Sequence, residues 1–450
     1  MVTSFSDFAI RLSYSDLPDE LLHILRRSFT DTIGVAAVGS TTQLSKISRK
    51  GALAMFGVGT AGASGMLMDG RRVSPAGAAM AGAFTIDSID AHDGVTPCKG
   101  HAGSALFPAL LAMAESEASQ GRALDGGRFA EILAVGYEVS YRAGRTQHAT
   151  CADYHTSGAW TAVGVATAGA RMLGCTTEQI RHAAGIGEYH GPRSQMMRCI
   201  DFPTNVRDGV GWGAPSGVTA AYLAREGFTG APALTCESNE AEEFWHDLGD
   251  AWRTVEDTHY KAYPCCRWAH PSLDAVADLM SENTLNHTEI EAVEIRTFHY
   301  ATRLAGHAPQ TLDDFSYAIA FPVAAMIVRG QVGVEELTEQ SLRDPDILRI
   351  SHATRLIEDD HYTKISTDKR WADVTLVLKD GRRFQSPPCS PRGDPDSPLT
   401  DAEISEKFHM LSDPVIGRDR ALEIESLSSE FDSLGTSEFA RLIALCTAST

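Results

Sequence analysis

No run of about 18 or more apolar residues free of charge occurs in the chain, so a membrane-spanning helix is not expected. The N-terminal segment carries Asp7, Asp16, Asp19 and Glu20 and lacks the basic start and apolar stretch of a secretory signal, so export by that route is not expected either. Positive charge is scarce: 39 Lys and Arg stand against 59 Asp and Glu, a net charge of −20. Nucleic acid and anionic membrane surfaces need a positive field, which excludes both as partners while leaving room for a local basic pocket that binds a small anion. No CxxC or Cys/His cluster has the spacing of zinc ligands, so no metal is expected. The nine cysteines are an odd number spread from Cys98 to Cys446, which fits free thiols in a reducing cytoplasm better than a disulfide framework. Internal repeats and low-complexity tracts are missing as well.

What is present is an ordinary globular composition, 43% hydrophobic and 22% charged over 450 residues, long enough for two or three domains. Pro18–Val38 repeats apolar residues at helical spacing, and helices are expected again around 74–89, 104–119, 128–146, 156–173, 177–186 and 212–226. Thr177-Glu-Gln opens one of them with an N-cap and a first-turn acid. After residue 255 the texture changes. Glu291–Phe298 and Ala372–Leu378 alternate at period two, and Asp380-Gly381 marks a hairpin. Helices are expected between these strands at about 268–283, 314–329 and 334–341, followed by a Pro/Ser/Asp-rich connector and helices over Asp401–Leu411 and Arg418–Leu445. The fold class is mainly α: a large all-helical domain over 1–255, a smaller α+β lid domain over 256–398, and a helical return over 399–450.

Polar chemistry concentrates in a few places. Gly57-Val-Gly-Thr-Ala-Gly62 matches a dinucleotide fingerprint but lacks the βαβ context, so it reads as a turn and no nucleotide cofactor is expected. Asp90-Ala-His-Asp-Gly-Val-Thr-Pro-Cys-Lys-Gly-His101 places two carboxylates, two imidazoles, a thiol and an ammonium on a loop between apolar helices. Either Asp90 or Asp93 can orient an imidazole or raise its pKa, and histidine moves protons near neutral pH; the plainer reading makes these acids helix caps. Asp153-Tyr154-His155-Thr-Ser precedes a small-residue helix whose free N–H groups can receive a carboxylate, although a histidine beside a helix start is commonly structural. Glu188 to Arg198, with Arg193 and Ser194, continues to Arg207 in a Gly-rich stretch, either a carboxylate-recognition surface or a loop with ordinary ion pairs. Thr258-His-Tyr-Lys261-Ala-Tyr-Pro-Cys265-Cys266-Arg267-Trp-Ala-His270-Pro contains no acid at all, and a lysine among aromatics can become a usable base.

These clusters in this order resemble the MmgE/PrpD family, which includes 2-methylcitrate dehydratases, cis-aconitate decarboxylases and iminodisuccinate epimerase. The likeness is carried by Asp31-Thr-Ile-Gly-Val, Gly100-His-Ala-Gly-Ser-Ala, Tyr154-His-Thr-Ser-Gly, Lys261-Ala-Tyr-Pro-Cys-Cys, and Arg392-Gly-Asp followed by Glu406-Lys-Phe. It implies a homodimer and cofactor-independent chemistry on a di- or tricarboxylate, in a cleft between the helical domain and the lid. It also implies Lys261, His155, His101, Asp93 and Asp90 as active-site groups; Tyr154 joins them as a candidate acid/base group, and Arg193, Ser194, Arg207, Cys266 and His270 are the candidate substrate contacts. Arg207 stands where the family commonly has a lysine, and Asp-Ala-His-Asp-Gly replaces an Asp-Phe-Asp-Asp-like run, which is closer to the iminodisuccinate epimerase branch. The expected reaction is proton transfer at the carbon alpha to a carboxylate, an epimerisation first, with a dehydratase or decarboxylase as the alternative. A non-catalytic carboxylate-binding protein is the alternative of another class.

Overall fold

The computed structural model describes residues 4–367 and 369–450. Asp19–Gly39 forms α1, with Asp19 and Glu20 at the positive end of its dipole and every residue from Ser28 to Gly39 buried. Around it lie α2 (Pro75–Asp87), α3 (Gly103–Ser119), α4 (Gly126–Thr150), α5 (Gly158–Met172), α6 (Thr177–His190) and α7 (Val210–Arg225). These agree with the expected helices to within about one turn. Small residues set how closely they pack. A Cβ on Gly213 of α7 would lie 2.6 Å from the Gly158 carbonyl oxygen of α5, and one on Gly217 2.5 Å from Val165 Cβ. The cap of α6 is Thr176, one residue before the expected one, in a reciprocal box with Gln179. Gly57–Gly62 is a turn following a helix, closed by the Gly62 N–H on the Gly59 carbonyl at 3.1 Å.

The loop between α2 and α3 contains a two-residue strand, β1 (Gly94–Val95), which pairs antiparallel with β2 (Thr258–His259). Beyond it come α8 (His270–Glu282), α9 (Ala320–Arg329) and α10 (Pro345–His352), packed with a four-stranded sheet. Its strands are β3 (Ile290–Thr297), β4 (Thr354–Glu358), β5 (Ala372–Leu378) and β6 (Arg383–Gln385), in the order β4-β3-β5-β6. β3 and β4 run parallel and the other neighbours antiparallel. β3 and β5 are the two alternating segments of the sequence, and Gly381, at φ +90°, closes the expected hairpin into β6. β4 is an edge strand with one buried residue, Thr354, and so carries no clean period of two. The helix expected over 334–341 does not form. There Glu336 accepts the Gly333 N–H at 2.8 Å and Thr338 Oγ1 the Ser341 N–H at 3.2 Å, local bonds that compete with a helix. The helix starts instead at Pro345, capped by Asp344.

The chain then returns to the first helices. α11 (Asp401–Ile416) packs on α1, and the expected helical tract Arg418–Leu445 is two helices, α12 (Arg418–Ser428) and α13 (Thr436–Thr447). Lys407 of α11 donates to Asp31 Oδ1 of α1 and to the Ala91 carbonyl, both at 2.6 Å, with lysine and aspartate both buried. Among the described residues no helix is long and apolar enough to cross a membrane, and all nine cysteines are free thiols. Removing one partner of a buried ion pair strands the other charge, so Lys407→Met is expected to cost about 3–5 kcal/mol. Urea unfolding measures it; a loss within experimental error would show that the Lys407 bridge does not stabilise the fold.

Candidate active site

The pairing of β1 with β2 brings the loop from Asp90 to His101 against the acid-free stretch around Lys261. Glycine is required at the crossing, because a Cβ on Gly94 would stand 2.5 Å from His259 Nε2 and 2.9 Å from His101 Nδ1. Between the two segments lies a small pocket of about 40 Å³. Asp90, Thr96, Lys99 and His101 line it on one side, and His259, Lys261, Cys266, Arg267 and Trp268 on the other. Tyr154, Met196, Asp208, Tyr317 and Arg370 complete the wall.

Lys261 is fully buried, and its Nζ donates to the Asp90 carbonyl at 2.8 Å and to the Asp90 carboxylate. Asp90 lies in the left-handed region, φ +52°, a turn that presents both of its oxygens to one ammonium. The same carboxylate oxygen is 3.8 Å from His101 Nε2. His101 Nδ1 is 2.7 Å from the Asp93 carbonyl. A carbonyl can only accept, so this nitrogen carries the proton and Nε2 presents a lone pair. Burial, reinforced by the Lys261 charge, lowers His101 to about 4 against the pull of Asp90, so the imidazole is neutral near pH 7.

Asp93 lies behind this layer. It is fully buried, accepts the Tyr137 hydroxyl at 2.7 Å on Oδ2, and has no hydrogen-bond partner at Oδ1 among the described residues. Burial raises it to about 7, with the Tyr137 hydrogen bond opposing. His92, also fully buried, has no partner for either ring nitrogen and packs edge-on against His101 with ring centroids 4.3 Å apart. Asp90, His92 and His101 bring one carboxylate oxygen and two imidazole nitrogens within 4.8 Å of one another, a set of metal-ligand type. The Lys261 ammonium already holds that carboxylate, and its charge opposes a metal cation there.

The remaining expected residues divide. Tyr154 lines the pocket and donates its hydroxyl to the Lys99 carbonyl at 3.0 Å. Cys266 lines it too, its thiol pushed up to about 12 by burial and therefore protonated. His155 is buried outside the lining, with Nδ1 2.8 Å from the Asp153 carbonyl. At the start of α5 two N–H groups are already taken. Ser157 N–H meets the Asp208 carboxylate and Gly158 N–H the Asp208 carbonyl, both at 3.2 Å, so an internal acid already sits there. Ser157 Oγ also bonds that carboxylate and accepts the His101 N–H at 2.9 Å, which anchors the loop. Arg193 and Ser194 are exposed and stand away from the pocket; their loop contributes Met196 instead. Arg207 is buried, donates to the Asp87 carbonyl at 2.7 Å and to Asp313 at 3.3 Å, and reaches the pocket only through the Tyr317 ring, 5.2 Å from its guanidinium. His270 is buried beside Arg267 and the Cys265 carbonyl.

Sequence reasoning did not single out His259, Arg267, Asp208, Tyr317 or Arg370. The first two lie in the acid-free stretch, which carried the signal for them. Tyr317 and Arg370 sit in unremarkable local sequence and reach the pocket only through tertiary packing. The raised pKa of Asp93 has a consequence for stability. The folded state holds that proton more tightly than the unfolded chain, so stability falls as pH rises from about 4 to about 7. Asp93→Asn removes this titration. Between pH 4 and pH 8 the variant is expected to gain about 3 kcal/mol on the wild type in urea unfolding; a difference independent of pH would contradict it.

Two family profiles cover most of the sequence, the MmgE/PrpD N-terminal domain over residues 3–241 and the MmgE/PrpD C-terminal domain over residues 263–432. Similar proteins span nearly its full length. The cis-aconitate decarboxylase-like protein oryM of Aspergillus oryzae is 24% identical, over 97% of this chain and 96% of its own. The cis-aconitate decarboxylase of Aspergillus terreus is 22% identical, over 95% and 92%. That of Homo sapiens is 23% identical, over 94% and 89%. The chain therefore belongs to the MmgE/PrpD family and is an enzyme of that family, a lyase or an isomerase.

Proposed function

We propose that this pocket carries out acid/base chemistry at the carbon next to a carboxylate of a small di- or tricarboxylic acid, with decarboxylation as the first reading. The observation that carries it is the meeting of the His101 lone pair and the Lys261 ammonium at one carboxylate, Asp90. Loss of CO₂ leaves an electron pair on the neighbouring carbon, and one proton must return to that carbon. The Lys261 ammonium, hydrogen-bonded to Asp90, offsets the negative charge that spreads onto the remaining carboxylate. His101 Nε2, neutral with its lone pair free at rest, takes up a proton from solvent as negative charge develops on the neighbouring carbon and delivers it there. No cofactor enters this proposal.

The names of the similar proteins favour a lyase over the epimerase expected from the loop motifs. Arg207 keeps the epimerase as a second reading. It stands where the family resemblance puts a lysine, and its guanidinium is tied to Asp87 and Asp313. An epimerase needs a second acid/base group on the opposite face, and Tyr154 or Tyr317 would supply it. Assembly as a homodimer belongs to the same proposal. Phe202, Val206 and Trp212, 71%, 62% and 51% exposed in the single chain, support it as apolar groups suited to a covered face.

Incubation in D₂O with cis-aconitate, 2-methylcitrate and iminodisuccinate separates the reactions. Release of CO₂ with one deuterium in the product marks a decarboxylase, loss of water a dehydratase, and deuterium in inverted recovered substrate an epimerase. Lys261→Ala is expected to lower kcat at least about a hundredfold; because it strands the buried Asp90 carboxylate it also lowers the melting temperature, so kcat is compared at a temperature where circular dichroism shows the variant folded. Turnover that survives this substitution, or no reaction of the wild type with any of the three acids, would reject the proposal.

A further inference from the structure

Two cations of the pocket differ from the rest. Lys261 and Arg267 each hold a carboxylate, Asp90 and Asp394. Arg370 instead donates from Nη1 to the backbone carbonyls of Ser366 and Thr367, at 2.8 and 3.2 Å, with its guanidinium 5.8 Å from the Phe298 ring. Lys99 places its Nζ 5.5 Å from the Tyr154 ring centroid. Among the described residues neither meets a carboxylate, and the Arg370 Nη2 and Nε make no hydrogen bond.

Their position gives this a use. Lys99, Tyr154, Trp268 and Arg370 line both the inner pocket and an outer chamber of about 520 Å³, so they form the neck between the two. Burial, and then the Arg370 charge, lower the Lys99 pKa, which places the two cations within electrostatic reach of each other. Two like charges partly removed from water repel, and an anion between them relieves that repulsion. A guanidinium with a free edge beside an ammonium is suited to a carboxylate.

We propose that Lys99 and Arg370 bind the second carboxylate of the substrate at this neck, while the reacting carbon lies between Lys261 and His101. The inference rests on the acid/base reading of the inner pocket and adds the residues that read the carboxylate remote from the reacting carbon. Lys99 and Arg370 then set specificity, and Lys261 and His101 the chemistry.

The test is a binding preference that needs no turnover. Calorimetric titration of the wild type with glutarate and with glutaramate, the same chain with one carboxylate made an amide, is expected to give at least tenfold tighter binding of the diacid. Arg370→Gln and Lys99→Gln should each shrink that ratio at least threefold, and Arg370→Lys should keep most of it. Equal affinities in the wild type, ratios unchanged in both Gln variants, or equal weakening of both ligands would overturn the proposal. Circular dichroism checks the fold of each variant; should Arg370→Gln fail to fold, the half-buried Lys99→Gln decides. An intact preference without proton exchange into any acid would count against the acid/base reading and leave the neck assignment standing.

Discussion

A fully buried ammonium is tolerated only where fixed oxygen atoms surround it, and Lys261 meets that condition through a single residue, Asp90. The rest of the site follows from holding that pair in place. Asp90 offers both oxygens because its backbone takes a left-handed turn, and the loop approaches Lys261 because β1 pairs with β2 at a glycine. From the opposite side, Lys407 of α11 holds the Ala91 carbonyl next door while neutralising Asp31 of α1. Ser157 and Asp208 fix the far end of the loop through the His101 N–H. Helices distant in sequence thus converge on one short segment, and each anchor is a polar bond in an otherwise apolar core.

Burial also sets the charge states. His92, His101, His259 and His270 are all pushed down, first by desolvation and then by neighbouring cations, so the imidazoles are neutral. Asp87, Asp93 and Asp208 are pushed up, again first by desolvation. Lysine and arginine therefore supply the fixed positive charge. A chain with a net charge of −20 can in this way contain a pocket whose permanent charges favour an anion.

Much of the architecture was legible because it rests on periodicity and composition. Apolar spacing marks α1, small residues mark α2 to α7, and alternation marks β3 and β5. The loop at Asp90 and the acid-free stretch at Lys261 stand out by residue type, and both reach the pocket. What was not legible depends on long-range geometry. Asp90 and Asp93 are indistinguishable in sequence, yet one meets Lys261 and the other is buried against Tyr137. Arg193, Arg207 and His155 carry suitable chemistry but point into other environments. Arg370 and Tyr317 carry no local signal, since only folding brings them to Lys99 and Arg207. The segment 334–341 had helical spacing, but local side-chain bonds outcompete the helix there.

In the proposed mechanism Asp90 acts through Lys261, positioning its ammonium at the reacting carbon. A double-mutant cycle in kcat/KM with Asp90→Asn and Lys261→Met tests this most directly. Strong non-additivity is expected, with the double variant little worse than the more damaged single one. Fully additive losses would show that the two residues act independently and would contradict it.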